Sequence, residues 1–146
     1  MTKYITFAVP CYNSESYMQR CVDSLLAGGG DVEIILVDDG STDGTAAIAD
    51  HYAEKFPTII KVVHKENGGH GSGVNKGLEM ATGIYYKVVD SDDWLDQEAY
   101  TSLLDRIKEL CGGGRAEFEE NIPDLFVCNY VYDHLDEGKS RTMDYR

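Results

Sequence analysis

The chain has 146 residues, 42% of them hydrophobic and 27% charged, a size and balance that suit one globular domain with a real core. The 26 acidic against 13 basic residues leave a net charge of −13, which argues against nucleic acid as a partner because phosphate binding leans on Lys and Arg. No apolar run exceeds about five residues, so no transmembrane segment is expected.

The start, Met1-Thr2-Lys3-Tyr4, shows no signal-peptide pattern and points to the cytoplasm. Cys11, Cys21, Cys111 and Cys128 contain no C-x-x-C pair. They are expected to be buried small hydrophobes rather than zinc ligands or disulfides.

Tyr4 to Val9 predicts a first buried strand closed by Pro10. In the polar turn Cys11-Tyr12-Asn13-Ser14-Glu15, Asn13 or Ser14 can cap a helix. That helix carries Met18, Cys21, Val22, Leu25 and Leu26 on one face, and Gly28-Gly29-Gly30 ends it. No glycine separates strand from helix, so a Rossmann dinucleotide fingerprint is absent.

Val32 to Val37 is the nearly continuous apolar run of a strand covered on both faces. It ends in Asp38-Asp39-Gly40-Ser41-Thr42-Asp43-Gly44. A glycine turn and a helix cap account for Gly40, Ser41 and Asp43, but not for two adjacent carboxylates. The next helix presents Ala46, Ile48, Ala49, Tyr52, Ala53 and Phe56 and stops before Pro57.

Ile59 to His64 predicts a third strand. The glycine-rich stretch from Lys65 to Gly73 is either a backbone that approaches a ligand or a flexible connection. It is no P-loop, because Lys76-Gly77 inverts the required order. A short helix from Val74 to Ala81 and a fourth strand from Ile84 to Val89 follow. Gln97 to Cys111 reads as a helix with Leu103, Leu104, Ile107, Leu110 and Cys111 apolar. Residues 115–120 read as loop, Leu125 to Val131 as a fifth strand, Asp136 to Lys139 as a turn, and the tail to Arg146 as an edge strand. Strands alternating with helices make an α/β fold, a mostly parallel sheet with helices on both faces.

The fourth strand runs into Asp90-Ser91-Asp92-Asp93-Trp94. Two unit charges about 4 Å apart repel by roughly 4 kcal/mol at an effective dielectric near 20, so a counter-charge is expected. Asp90 and Asp92 offer the oxygen ligands that suit a hard divalent cation. The competing reading is a polar loop in which Asp93 or Asp96 caps the following helix.

Ligands of such sheets sit outside the carboxyl ends of the strands, where three polar sets lie here. The stretches V-P-C-Y-N-S-E, V-D-D-G-S-T-D-G-T and V-D-S-D-D-W, in that order, resemble the family 2 glycosyltransferases with the Rossmann-like GT-A fold, over about residues 4 to 110. The resemblance implies a nucleotide-diphosphate sugar, commonly a UDP-sugar, with Mn2+ or Mg2+ as cofactor and a hydroxyl of a saccharide or lipid-linked acceptor. It implies that Pro10 and Tyr12 line the uracil, that Glu15 approaches the ribose and that Asp39 accepts from the base. Asp90 then faces ribose or metal, and Asp92 is the more direct metal ligand. Asn13, Gly40, Asn67 and Ser91 complete the implied donor-binding set.

The chemistry agrees with those roles. A diphosphate cannot approach Asp90 and Asp92 without a bridging cation, an aromatic ring offers the base a stacking face, and a carboxylate accepts from an imide N–H. Many relatives carry Arg where Val74 precedes Asn75-Lys76-Gly77. His70 is a candidate to face the diphosphate.

Inverting members take their catalytic base from the acceptor-binding half of a longer domain. Residues 1–146 are therefore expected to form a single donor-binding domain ending before it, and Asp133, Asp136 and Glu137 match no motif. A non-catalytic nucleotide-sugar-binding module would share every donor-site residue. A phosphoacceptor receiver-like domain needs a Lys at a later strand end, which Asp124 to Val127 does not supply. Relatives often build cell-surface polysaccharides, so the inner face of the membrane is an expected place of work.

Overall fold

A computed structural model describes residues 2–112, 123–128, 130–134 and 139–143. The chain divides into two compact units, Met1–Glu109 and Leu110–Arg146.

In the first unit β1 (Ile5–Cys11), β2 (Val32–Asp39), β3 (Ile60–Lys65) and β4 (Tyr85–Val88) form one parallel sheet in the order β3-β2-β1-β4. Helices α1 (Met18–Leu26), α2 (Thr45–Lys55) and α3 (His70–Met80) connect them, and α4 (Gln97–Cys111) follows β4. The chain steps outward from β1 to β3, then crosses back to lay β4 on the other side of β1. That reversal makes the β1–β4 boundary the topological switch point, and the crevice expected outside the C-terminal ends of these two strands is the usual ligand position of an open α/β sheet.

Every residue of β1 and β2 is buried, as a sheet covered on both faces requires. On one face Phe7 meets Tyr100 of α4 edge to face, with centroids 5.6 Å apart. On the other, α3 lies so close that a Cβ on Gly77 would sit 2.5 Å from that of Ala8, and one on Gly73 3.3 Å from that of Pro10. The glycines of the Lys65–Gly73 stretch therefore belong partly to a helix, which begins at His70 rather than at the expected Val74. Gly73 and Gly77, four residues apart, are its contact stripe with the sheet.

Pro10 does not close β1, which runs through it to Cys11 on the β2 side. It ends the ladder on the β4 side instead. Val89 N–H donates to Ala8 O (2.9 Å), and the next rung would need an N–H from residue 10, which proline lacks. β4 accordingly stops at Val88, and the chain turns away into the acidic cluster.

Burial in α1 falls on Met18, Cys21, Val22 and Leu25 as predicted, with Leu26 half-buried. In α4 it falls on Tyr100, Leu104, Ile107 and Cys111, while Leu103 and Leu110 are half-buried. Helix α2 buries only Thr45 and Ala49, so its apolar face is narrower than its sequence suggests.

One polar residue inside β2 is fully used. Glu33 accepts from Lys61 Nζ (2.7 Å), Thr6 Oγ1 (2.9 Å), Thr82 N (2.9 Å) and Thr82 Oγ1 (2.9 Å), and so ties the α3–β4 connection to the sheet.

In the second unit β5 (Tyr130–His134) pairs antiparallel with β6 (Lys139–Met143). The strand expected from Leu125 to Val131 is formed only from Tyr130 onward, as β5. Residues 125–128 carry no regular structure, and Leu125 and Val127 are exposed where a fifth core strand would bury them. Cys128 is exposed as well, contrary to the expectation for all four cysteines, whereas Cys11, Cys21 and Cys111 are buried. The expected loop at 115–120 and most of the turn at 136–139 lie outside the described residues.

Candidate functional site

The turns that follow β1 and β2 are bound to each other. Asn13, at φ +48°, accepts on Oδ1 from Thr42 N (2.8 Å), and its own N–H donates to Ser41 Oγ (3.1 Å). Ser14 N donates to Thr45 Oγ1 (2.7 Å), and Glu15 Oε2 accepts from Gly44 N (2.7 Å).

Neither Asn13 nor Ser14 caps α1, which begins at Met18 without a side-chain cap. The side chain of Asn13 is spent on the β2 turn. That of Ser14 is held by Tyr12 N (3.2 Å) and by Ser91 Oγ (2.8 Å). Pro10 is buried against Gly73, while Tyr12 is 52% exposed and presents an uncovered ring.

The adjacent carboxylates Asp38 and Asp39 point to opposite faces of the sheet, as successive strand residues must. Asp38 accepts from Ser41 N (3.1 Å) and bonds His64 Nδ1 (2.8 Å), whose Nε2 reaches Asp50 of α2 (2.7 Å). Asp39 is only 5% exposed and lies on the α3 side. Its Oδ1 accepts from Lys65 Nζ (2.7 Å) and Gly68 N (2.8 Å), and its Oδ2 from Gly69 N (2.9 Å).

Burial works to raise the pKa of Asp39, but the bonds from Lys65, Gly68 and Gly69 outweigh it and hold the carboxyl below its ordinary range. Lys65 and His64 had no visible role in the sequence. Only the parallel register, Asp39 opposite Lys65 and Asp38 opposite His64, brings them in. Gly40, at φ +73°, packs so tightly on Asn67 that a Cβ would lie 2.8 Å from its backbone nitrogen, and Asn67 Nδ2 donates to Asp39 O (3.1 Å).

Across the crevice, carboxylate oxygens of Asp90, Asp92 and Asp93 lie within 4.8 Å of one another, and no second such group occurs among the described residues. Asp93 N–H donates to Asp90 O (2.9 Å), which folds the cluster into a turn. Burial, then Asp92 and Asp90, push the Asp93 carboxyl above its ordinary range, as expected of crowded like charges. The helix cap is Asp96, whose Oδ2 accepts from Ala99 N (2.9 Å), so Asp93 is free to join the cluster.

The segment beyond is pinned to α1 by Arg20, 4.0 Å over the Trp94 ring, and by Ser24 Oγ, which accepts from Leu95 N (3.2 Å). Beneath it the Cys21 thiol is pushed up to about 12 by burial, by Cys11 and by the three carboxylates, which leaves it inert. Oxygen-only donors of this kind fit Mn2+ or Mg2+ rather than a thiophilic metal.

The structure therefore brings Tyr12, Asp39, Asp90, Ser91 and Asp92 to the C-terminal edge of one sheet. It engages Asn13, Glu15, Gly40 and Asn67 in the loop bonds and packing that shape that edge.

Known proteins share this frame. The EpsH protein of Bacillus subtilis (strain 168) is 37% identical over 144 residues, covering 98% of this chain and 38% of EpsH. S. aureus TarS 1-349 in complex with UDP matches at a TM-score of 0.65 and 33% identity, over 73% of this chain and 32% of that one. The mannosyltransferase PcManGT from Pyrobaculum calidifontis, in complex with GDP-Man and Mn2+, matches at 0.62 and 27%, over 75% and 33%. The chain thus spans about a third of the length of each. The family model for glycosyl transferase family 2 matches residues 6–125, from the first buried strand past the acidic turn, and the chain belongs to that family.

Proposed function

We propose that the chain is the donor-binding part of a glycosyltransferase. It takes a sugar from a nucleotide-diphosphate donor, a UDP-sugar, with Mn2+ or Mg2+, to a hydroxyl of a saccharide or lipid-linked acceptor. The observation that carries this reading is the switch point between β1 and β4, with Tyr12 exposed in the turn after β1 and the carboxylates of Asp90, Asp92 and Asp93 gathered in the turn after β4.

Tyr12 stacks on the uracil, and Pro10 backs it from within the sheet. Asp39 Oδ2 keeps acceptor capacity for the imide N–H, since one backbone amide occupies only part of it. Asn13, Glu15, Gly40 and Asn67 hold the loops that form this wall. Asp90 and Asp92, joined by Asp93, hold the cation. When bound, it supplies the positive charge that lets a diphosphate lie beside carboxylates and leave as an anion. TarS with UDP, and PcManGT with GDP-Man and Mn2+, support a nucleotide donor and a divalent cation.

Work on cell-surface polysaccharide at the inner face of the membrane is part of the proposal. No helix among the described residues is long and apolar enough to cross a membrane.

The test is a thermal-shift series with UDP and GDP, each with Mn2+ and with excess chelator. UDP with Mn2+ is expected to raise the melting temperature most, because a ligand that binds only the folded state stabilises it by mass action. Equal shifts with Mn2+ and with chelator overturn the metal, and a larger shift with GDP overturns the base.

A further inference from the structure

His70 Nε2 and Asp90 Oδ1 lie 2.8 Å apart, joining residues 20 apart in sequence across the mouth of the crevice. A carboxylate can only accept, so Nε2 carries the hydrogen and donates it. The imidazole is not one of the group whose ligand atoms cluster, which consists of Asp90, Asp92 and Asp93. Its bond goes to one carboxylate oxygen of Asp90, Oδ1.

The backbone under His70 is fixed from below. Gly69, at φ +88°, turns the chain into α3, and its N–H and that of Gly68 are both held by the buried Asp39 carboxylate. A continuous chain of contacts thus runs from the end of β2, through Asp39, Gly69 and His70, to Asp90 beyond the end of β4.

We propose that His70 is a positioning residue for the cation site. It donates to Asp90 and sets the carboxylate's orientation, and through the glycine turn it ties that orientation to the loop gripped by Asp39. The inference rests on the metal-dependent reading above. Ligating carboxylates are held by hydrogen bonds of their own, and removal of such a partner typically lowers metal affinity about 10- to 100-fold. His70 is the first residue of α3, directly after the glycine turn.

The experiment measures Mn2+ affinity in the presence of UDP, by the loss of the free-ion electron paramagnetic resonance signal. It compares the wild-type chain, His70→Ala, His70→Gln and the remote control His51→Ala. His70 is exposed, so all variants are expected to fold. His70→Ala is expected to bind Mn2+ about tenfold more weakly. His70→Gln, which keeps an N–H donor of similar reach, should stay within about threefold of wild type, and His51→Ala should be unchanged. An Ala variant equal to wild type overturns the inference, and so does a Gln variant as weak as Ala. Wild-type protein that binds no Mn2+ at all overturns the metal reading itself, a result distinct from either.

Discussion

Ser14 Oγ and Ser91 Oγ lie 2.8 Å apart in the protein interior, 77 residues apart in sequence. The bond closes the bottom of the crevice where Pro10 has ended the β1–β4 ladder, and it holds the turn after β1 to the acidic turn after β4. Ser91→Ala is expected to lower stability by about 1 kcal/mol, the usual net value of one hydrogen bond. Ser14→Ala should cost more, because Ser14 Oγ also accepts from Tyr12 N. Urea unfolding of the two variants measures both, and equal costs would show that the Tyr12 bond contributes nothing.

Asp92 and Asp96 separate metal binding from helix capping. Asp92→Asn keeps the shape but removes a charge, so Mn2+-dependent UDP binding should weaken tenfold or more, about 1.4 kcal/mol. Asp96→Ala removes the bond to Ala99 N and should cost about 1 kcal/mol of stability with UDP binding intact. Calorimetric titration beside thermal melts would expose a misassignment if both variants lost binding alike.

Two glycines of α3 should respond oppositely to alanine. At Gly77 the new Cβ would meet that of Ala8, which is fixed to a strand backbone. Overpacking of about 1–3 kcal/mol should outweigh the roughly 1 kcal/mol that alanine gains in a helix. At Gly71 nothing lies within 4 Å, so alanine should stabilise, by up to about 1 kcal/mol. Equilibrium unfolding decides the signs, and a stabilising Gly77→Ala would show that the helix can move off the sheet.

The buried carboxylates and His64 predict a stability maximum between acid and alkaline limits. Burial works to raise the pKa of Glu33, but bonds from Lys61, Thr82 and Thr6 lower it further than burial raises it. Asp39 behaves likewise. Their folded pKa values lie below the unfolded ones, so their contribution is full above the ordinary carboxylate range and is lost as pH falls through the folded values.

His64 runs the other way. Bonds to Asp38 and then Asp50 raise it above its ordinary 6.5, so its contribution is full below that value and is lost as pH rises through the folded one. An NMR titration should place His64 above 6.5, and Asp38→Asn should bring it down. No change on substitution would remove Asp38 as the cause.

Residues 1–146 are expected to bind donor without efficient transfer. The residues assigned to donor and cation end at Asp93, and none of them takes a proton from an acceptor hydroxyl. General-base assistance is typically worth about 10²- to 10⁴-fold. A product assay of this chain beside one extended by about a hundred downstream residues, enough for a further domain half, compares them with a panel of acceptor sugars. Comparable turnover would place the base within the present chain, with Asp133, Asp136 and Glu137 the first residues to replace. No turnover in either, with donor binding intact, would favour a binding module.

Local pattern determined much of this protein. A short, nearly continuous run rich in β-branched residues and bounded by turn signals suits a strand covered on both faces, so β2 was legible from residues 32–37. Helix α4 was legible to its ends because an apolar stripe, the Asp96 cap and the glycines after Cys111 agree. The acidic turn was legible because three carboxylates after an apolar strand have no packing explanation.

What local pattern could not supply is everything set by register and by close approach. Lys65 belongs to Asp39, and His64 to Asp38, only because β3 lies beside β2 in that alignment. In the sequence Gly73 belongs to a stretch that could be a flexible connection and Gly77 to a short helix, and neither shows that α3 lies against Pro10 and Ala8, where a side chain has no room. By sequence Asn13 or Ser14 can cap α1, because the donors that follow them in the chain are helical. Ser91, 77 residues on, claimed the Ser14 hydroxyl instead. Hydrogen-bond partners are chosen by distance in space, and the chain's path back past β1, not its sequence spacing, set that distance.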